Sequence, residues 1–204
     1  MFRFSMFIKD LRFIKKTLLL STILFVIGIL VGWISTGAIE EIIMSQISGL
    51  QQVATNLSES SHPQWSFFKF IFLNNSIKGV LIIYLGAFFG ILPVIFLLIN
   101  GMVIGYLVHA SALQGVDMFD LIVKGLLPHG IIEIPAIIVA CAFGLRFGML
   151  VLVSMTQWNR EKRAHLGDTW EHFMRRVGPI TIWIVILLFI AAIIESTFTF
   201  WLLK

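Results

Sequence analysis

Charge is scarce in this chain. Only 13% of its 204 residues are charged, against about 25% in soluble domains, which excludes a disordered tail and any module that coats nucleic acid. Cysteine is scarcer still: Cys141 stands alone, so no disulfide framework and no multi-cysteine metal or iron–sulfur site can form within the chain. The Gly-x-Ser-x-Gly elbow, the phosphate-binding loop, the dinucleotide fingerprint and the His-Glu-x-x-His pair are all missing, so nothing compels an enzyme and no cofactor is expected. What abounds is apolar surface: 58% hydrophobic residues, nineteen Phe, six Trp and a mean hydropathy of +0.96. The expected architecture is an all-α membrane bundle forming one domain over residues 1–204, with the lipid bilayer as its first partner.

Uncharged runs give the spans. The run between Lys16 and Glu40 holds 23 residues, and about 20 apolar residues cross the hydrocarbon as a helix. It continues past Gly32 and Trp33, too long for a cleavable signal, and is expected to be an uncleaved anchor over 17–37. Between Lys78 and Asp117 lie 38 uncharged residues, about 57 Å of helix, which makes two crossings. These are placed at 76–91 and 94–113, with the break near Gly90–Pro93. A fourth span is expected at 129–149 and a fifth at 179–203, with Pro179 in its first turn.

Five spans set the termini on opposite sides. Ten of the fifteen basic residues precede span one or join spans four and five, which by the positive-inside rule puts the N-terminus in the cytoplasm and the C-terminus outside. Two connecting segments read as amphipathic helices. From Ile39 to Leu57 apolar residues recur at helical spacing on the outer side, ended by Ser58–Pro63. In the cytoplasmic connection Leu166, Trp170, Phe173, Met174 and Val177 form a stripe expected to rest on anionic lipid, with Asp168 and Glu171 as a capping pair.

Glycines recur at i, i+4 in four pairs: Gly28/Gly32, Gly86/Gly90, Gly101/Gly105 and Gly144/Gly148. Lipid offers little hydrophobic drive between helices, so close backbone approach through small residues is a main source of association. A homodimer is one use for some of these pairs.

Ionisable groups in hydrocarbon are costly, about 2.5 to 3.5 kcal/mol each on insertion scales, and are functional candidates by default. His109 and Glu195 fall in the outer third of their spans, about 22 Å and 24 Å from the inner ends. His129 and Glu133, four apart on one helix face, enter from outside. Four titratable groups from three helices are therefore expected at one level. Pro135 removes the amide that would bond Ile131, while Pro128 and Gly130 suggest a broken or re-entrant start near Pro128, as in helices that line transporter sites. Two readings stay open: a proton, metal or solute site, or polar glue that locks the bundle without a ligand. His-x-x-x-Glu supplies only two ligands where a catalytic zinc site usually has three, so no metal is assigned.

At Phe72-Leu-Asn-Asn-Ser-Ile-Lys-Gly79, Leu98-Ile-Asn-Gly-Met-Val-Ile-Gly105, Leu127-Pro-His-Gly-Ile-Ile-Glu-Ile-Pro-Ala136, Ala142-Phe-Gly-Leu-Arg-Phe-Gly148 and Ala191-Ala-Ile-Ile-Glu195, the chain resembles the stage II sporulation protein M family. The resemblance covers about residues 70 to 200, and Pro-His-Gly-x-x-Glu is its most specific element. It implies an integral membrane protein of about five spans that serves, without being an enzyme, as a scaffold for envelope-remodelling partners such as peptidoglycan hydrolases. By motif match it marks Asn75, Asn100, Gly101, His129, Gly130, Glu133 and Glu195.

Overall fold

The computed structural model describes residues 4–35, 38–117, 119, 122, 127–156 and 160–202. The described residues form seven helices: α1 (Phe4–Phe13), α2 (Lys15–Trp33), α3 (Ala38–Ser58), α4 (Pro63–Leu85), α5 (Ile91–Leu113), α6 (Leu127–Thr156) and α7 (Arg160–Leu202). Five segments are long and apolar enough to cross a membrane: α2, α4, α5, Gly130–Thr156 of α6 and Leu166–Thr197 of α7.

The bundle is organised around α6, which packs against α2, α4, α5 and α7. Small side chains make this possible. Ala136, Ala140, Cys141 and Ala142 are fully buried, with Phe143 filling the space beside them, so Cys141 serves as a compact packing residue. The helix runs without interruption from Leu127, with Pro128 in its first turn and Pro135 inside it. Residues 123–126, over which a re-entrant approach would run, lie outside the described residues.

All four glycine pairs are occupied within the chain, which leaves none to join a second copy. Gly28 and Gly32 of α2 lie against Leu98, Gly101 and Met102 of α5, while Gly101 and Gly105 lie against Phe25 and Ile29 of α2. The other two pairs meet in the same way: Gly86 abuts Gly144, and Gly148 abuts Phe89 and Gly90. A β-carbon at any of these positions would strike a backbone atom or, at Gly90, press on Leu145. The 38-residue uncharged run turns at Gly86–Gly90, where Phe89 (φ 56°) and Gly90 (φ 76°) adopt left-handed backbone. That conformation is easy for glycine and strained for phenylalanine.

On the α1 side the outcome differs from expectation. The stripe Leu166–Val177 and the fifth span are one continuous helix, with Pro179 inside it and Asp168 in mid-helix rather than at a cap. Lipid does not cover the stripe; α6 does. Phe173 and Val177 are buried, Phe147 packs against Trp170 and Phe173, and Trp170 Nε1 donates to Ser154 Oγ at 2.8 Å. Met174 alone of the stripe's large residues is well exposed, at 45%. A proline in a helix forfeits one hydrogen bond, which this tertiary contact offsets. Helix α1 is held to α7 by an ion pair between Asp10 and Arg176, and the Arg176 guanidinium stacks 4.4 Å from the Phe13 ring centroid.

On the opposite side, α3 packs along α4 and α5. It buries Ile43, and Glu40 Oε1 accepts a hydrogen bond from Tyr106 OH of α5 at 2.9 Å.

Candidate functional site: a polar cavity among the spans

The helices do not close completely. A cavity of about 470 Å³ lies among them, walled mostly by apolar side chains but edged by Gln46 of α3, Lys78 of α4, Asn100 of α5, Glu133 of α6 and Glu195 of α7. Glu133 is six residues from Leu127, about 9 Å into α6, and Glu195 is seven residues from Leu202, about 10 Å from the end of α7. Because α6 and α7 run in opposite directions, these offsets bring the two carboxyls to one level.

There both carboxyls line the cavity together with the Lys78 ammonium. Asn100 Nδ2 donates one of its two N–H groups to the Phe96 carbonyl at 2.7 Å, which leaves the other N–H as a donor and Oδ1 as an acceptor. Leu50 and Gln46 make α3 the cover of one side.

The expected four-member locus divides. Glu133 and Glu195 meet, but His109 packs edge-on against Trp33 at a centroid distance of 5.0 Å, and its buried Nδ1 has no hydrogen-bond partner among the described residues. It does not line the cavity. The reason is helix rotation: α5 turns Asn100 and Val103 toward α6 and α7, while the face bearing Gly101 and Gly105 is pressed against α2. The His129 and Pro128 side chains lie outside the described residues. Of the other marked positions, Gly130 lines the cavity, Gly101 packs against α2, and Asn75 accepts from its neighbour Asn74 at 3.2 Å. Pro135 is exposed on α6.

Sequence reasoning misses Lys78 and Gln46. Lys78 reads as the edge of an uncharged run, yet α4 begins at Pro63, which places the lysine about 22 Å along the helix. The signal that could have found it is Pro63 itself, a residue favoured at the first helical position, followed by an apolar stretch with only Lys69 and Lys78 in it. Among the described residues, no three His, Cys, Asp or Glu side chains gather as a metal centre.

No curated protein and no solved structure matches the chain. Residues 21–200, by contrast, match the family described as stage II sporulation protein M, a stretch that takes in the whole cavity wall from Phe25 to Glu195. The chain therefore belongs to the stage II sporulation protein M family, as a multi-pass, all-helical membrane protein.

Proposed function

We propose that this protein binds a small cationic solute in the cavity and carries it across the cytoplasmic membrane in exchange for a proton taken up by the Glu133 and Glu195 carboxyls, catalysing no reaction. One observation carries the reading: two carboxyls, Glu133 and Glu195, line about 470 Å³ of open space within the spans. Polar glue would be expected to draw its helices into contact; here a chamber remains beside the pair. Two carboxyls against one ammonium leave an excess negative charge once the proton departs, and that excess suits a monovalent cation or a protonated amine. The basic residues around the start of α2 and in the first half of α7 favour a cytoplasmic N-terminus and an outer C-terminus, which sets the cavity in the outer half.

Proteoliposomes carrying an internal pH dye test this directly. Addition of monovalent cations or methylamine-type solutes is expected to drive proton movement in the wild type and not in Glu133→Gln or Glu195→Gln. Identical traces for wild type, both variants and empty vesicles would overturn the reading.

A second reading is favoured by α3, whose Ile39 and Ile42, three apart on one face, are 41% and 53% exposed, together with the family resemblance. On it, α3 presents a docking face to peptidoglycan-remodelling proteins and the protein is a scaffold. Co-purification from detergent should then recover an envelope hydrolase that is lost when Ile39 and Ile42 become serine, with proton movement in vesicles unaffected.

A further inference from the structure

Far from the first cavity, α1 and α7 enclose a second hollow of about 500 Å³, whose polar walls are Lys9, Asp10, His172, Arg175 and Arg176 and whose apolar walls are Met6 and Pro179. Its cations are already oriented. Arg176 is fixed by the Asp10 carboxylate and the Phe13 ring, and its Nη2 lies 2.9 Å from His172 Nε2. Glu171 Oε1 accepts from Arg175 Nε at 2.9 Å and Nη2 at 2.6 Å, leaving Nη1 to meet a ligand. Lys9 forms no ion pair among the described residues.

Counting the neighbouring acids gives Lys9, Arg175 and Arg176 against Asp10 and Glu171, a single net positive charge. Arg176 precedes Glu195 by nineteen residues, about 29 Å along α7. The hydrocarbon is about 30 Å thick, so the hollow falls where phosphate headgroups lie on the α1 side. Guanidinium forks match the oxygens of a phosphate group, and basic pockets between membrane helices are known to hold anionic headgroups.

We infer that the hollow between α1 and α7 is a binding site for a singly charged phosphodiester, the headgroup of an anionic glycerophospholipid, whose acyl chains continue past Met6 and Pro179 into the bilayer. The charge of a diester neutralises the site's net charge, and the apolar wall accepts the chains.

The test uses the full-length protein in detergent after delipidation. Binding of short-chain phosphatidylglycerol, phosphatidylcholine and inorganic phosphate is measured at matched ionic strength by native mass spectrometry and by thermal shift. Phosphatidylglycerol is expected to bind and to raise Tm. The double variant Lys9→Gln/Arg175→Gln, which alters only exposed side chains, is expected to weaken that binding by about tenfold or more. Removing the same charge at Lys15 and Lys16, outside the hollow, should leave it unchanged. Equal loss in both double variants would reduce the effect to surface potential and overturn the site, as would equal binding of phosphatidylcholine. If inorganic phosphate competes fully with the lipid and shows the same dependence on Lys9 and Arg175, the phosphate site stands and its occupant is the free anion.

Discussion

Replacing Gly105 by alanine adds one methyl group where α5 crosses α2. Its carbon would collide with the Ile29 carbonyl oxygen and lie 2.8 Å and 3.0 Å from the Ile29 carbonyl carbon and Cα. All three are backbone atoms, so no change of rotamer relieves the clash and the helices must separate. Overpacking of this kind costs about 1 to 3 kcal/mol, while the better helix propensity of alanine offsets at most about 1 kcal/mol. A collision with rigid backbone belongs in the upper part of that range, about 2 to 3 kcal/mol, and an offset of about 1 kcal/mol leaves a net loss of about 1 to 2 kcal/mol. Gly49, on α3, has no atom within 4 Å of an added β-carbon, and there the same change should stabilise by about 0.5 to 1 kcal/mol. Thermal unfolding in detergent, followed by tryptophan fluorescence, should show Gly105→Ala melting about 2 to 8 °C below wild type and Gly49→Ala slightly above it, at about 2 to 4 °C per kcal/mol for a chain of this size. Equal shifts for the two variants, or a Gly105→Ala protein as stable as wild type, would refute the argument that backbone contact holds α2 to α5.

Two further outcomes follow from the polar links to the flanking helices. Asp10→Asn leaves the Arg176 side chain, 23% exposed, without its anion and should destabilise by about 1 to 3 kcal/mol; a double-mutant cycle with Arg176→Gln should return a coupling of at least about 0.5 kcal/mol, and a zero coupling would count against the pair. Tyr106→Phe removes the bond to Glu40, a loss of about 1 kcal/mol, and should speed amide exchange across α3 while leaving α6 unchanged.

Much of this bundle is legible in the residues. Hydrocarbon thickness fixes the length of a span, so counting apolar runs is enough to disclose five crossings, and the 3.6-residue period discloses α3. Backbone-to-backbone packing is also legible as glycine pairs, but their partners are not: the i, i+4 spacing says that a face is flat without saying which face meets it. The same limit explains α7. The stripe from Leu166 to Val177 shows that something apolar covers it, and an apolar stripe accepts Phe147 and a lipid tail on equal terms. Rotation about a helix axis, which separates His109 from Glu133, is set by packing around the whole circumference, and counting residues along the axis measures depth alone. Lys78 escapes such counting because a charge in an apolar run marks its end only when no polar hollow receives it.

The enclosure of α6 bears on how the protein is made. Helices α2, α4 and α5 leave the ribosome before it, and α7 after it, so the most enwrapped segment is delivered fourth of five. Until it arrives, Gly86 and Gly90 on one side of the nascent assembly face only lipid, and the slot they border has to stay open for a late-coming occupant. Biogenesis of this chain is thus a matter of keeping a vacancy, and a nascent chain halted after α5 has left the ribosome but before α6 has would display the unfinished groove to whatever insertase attends it.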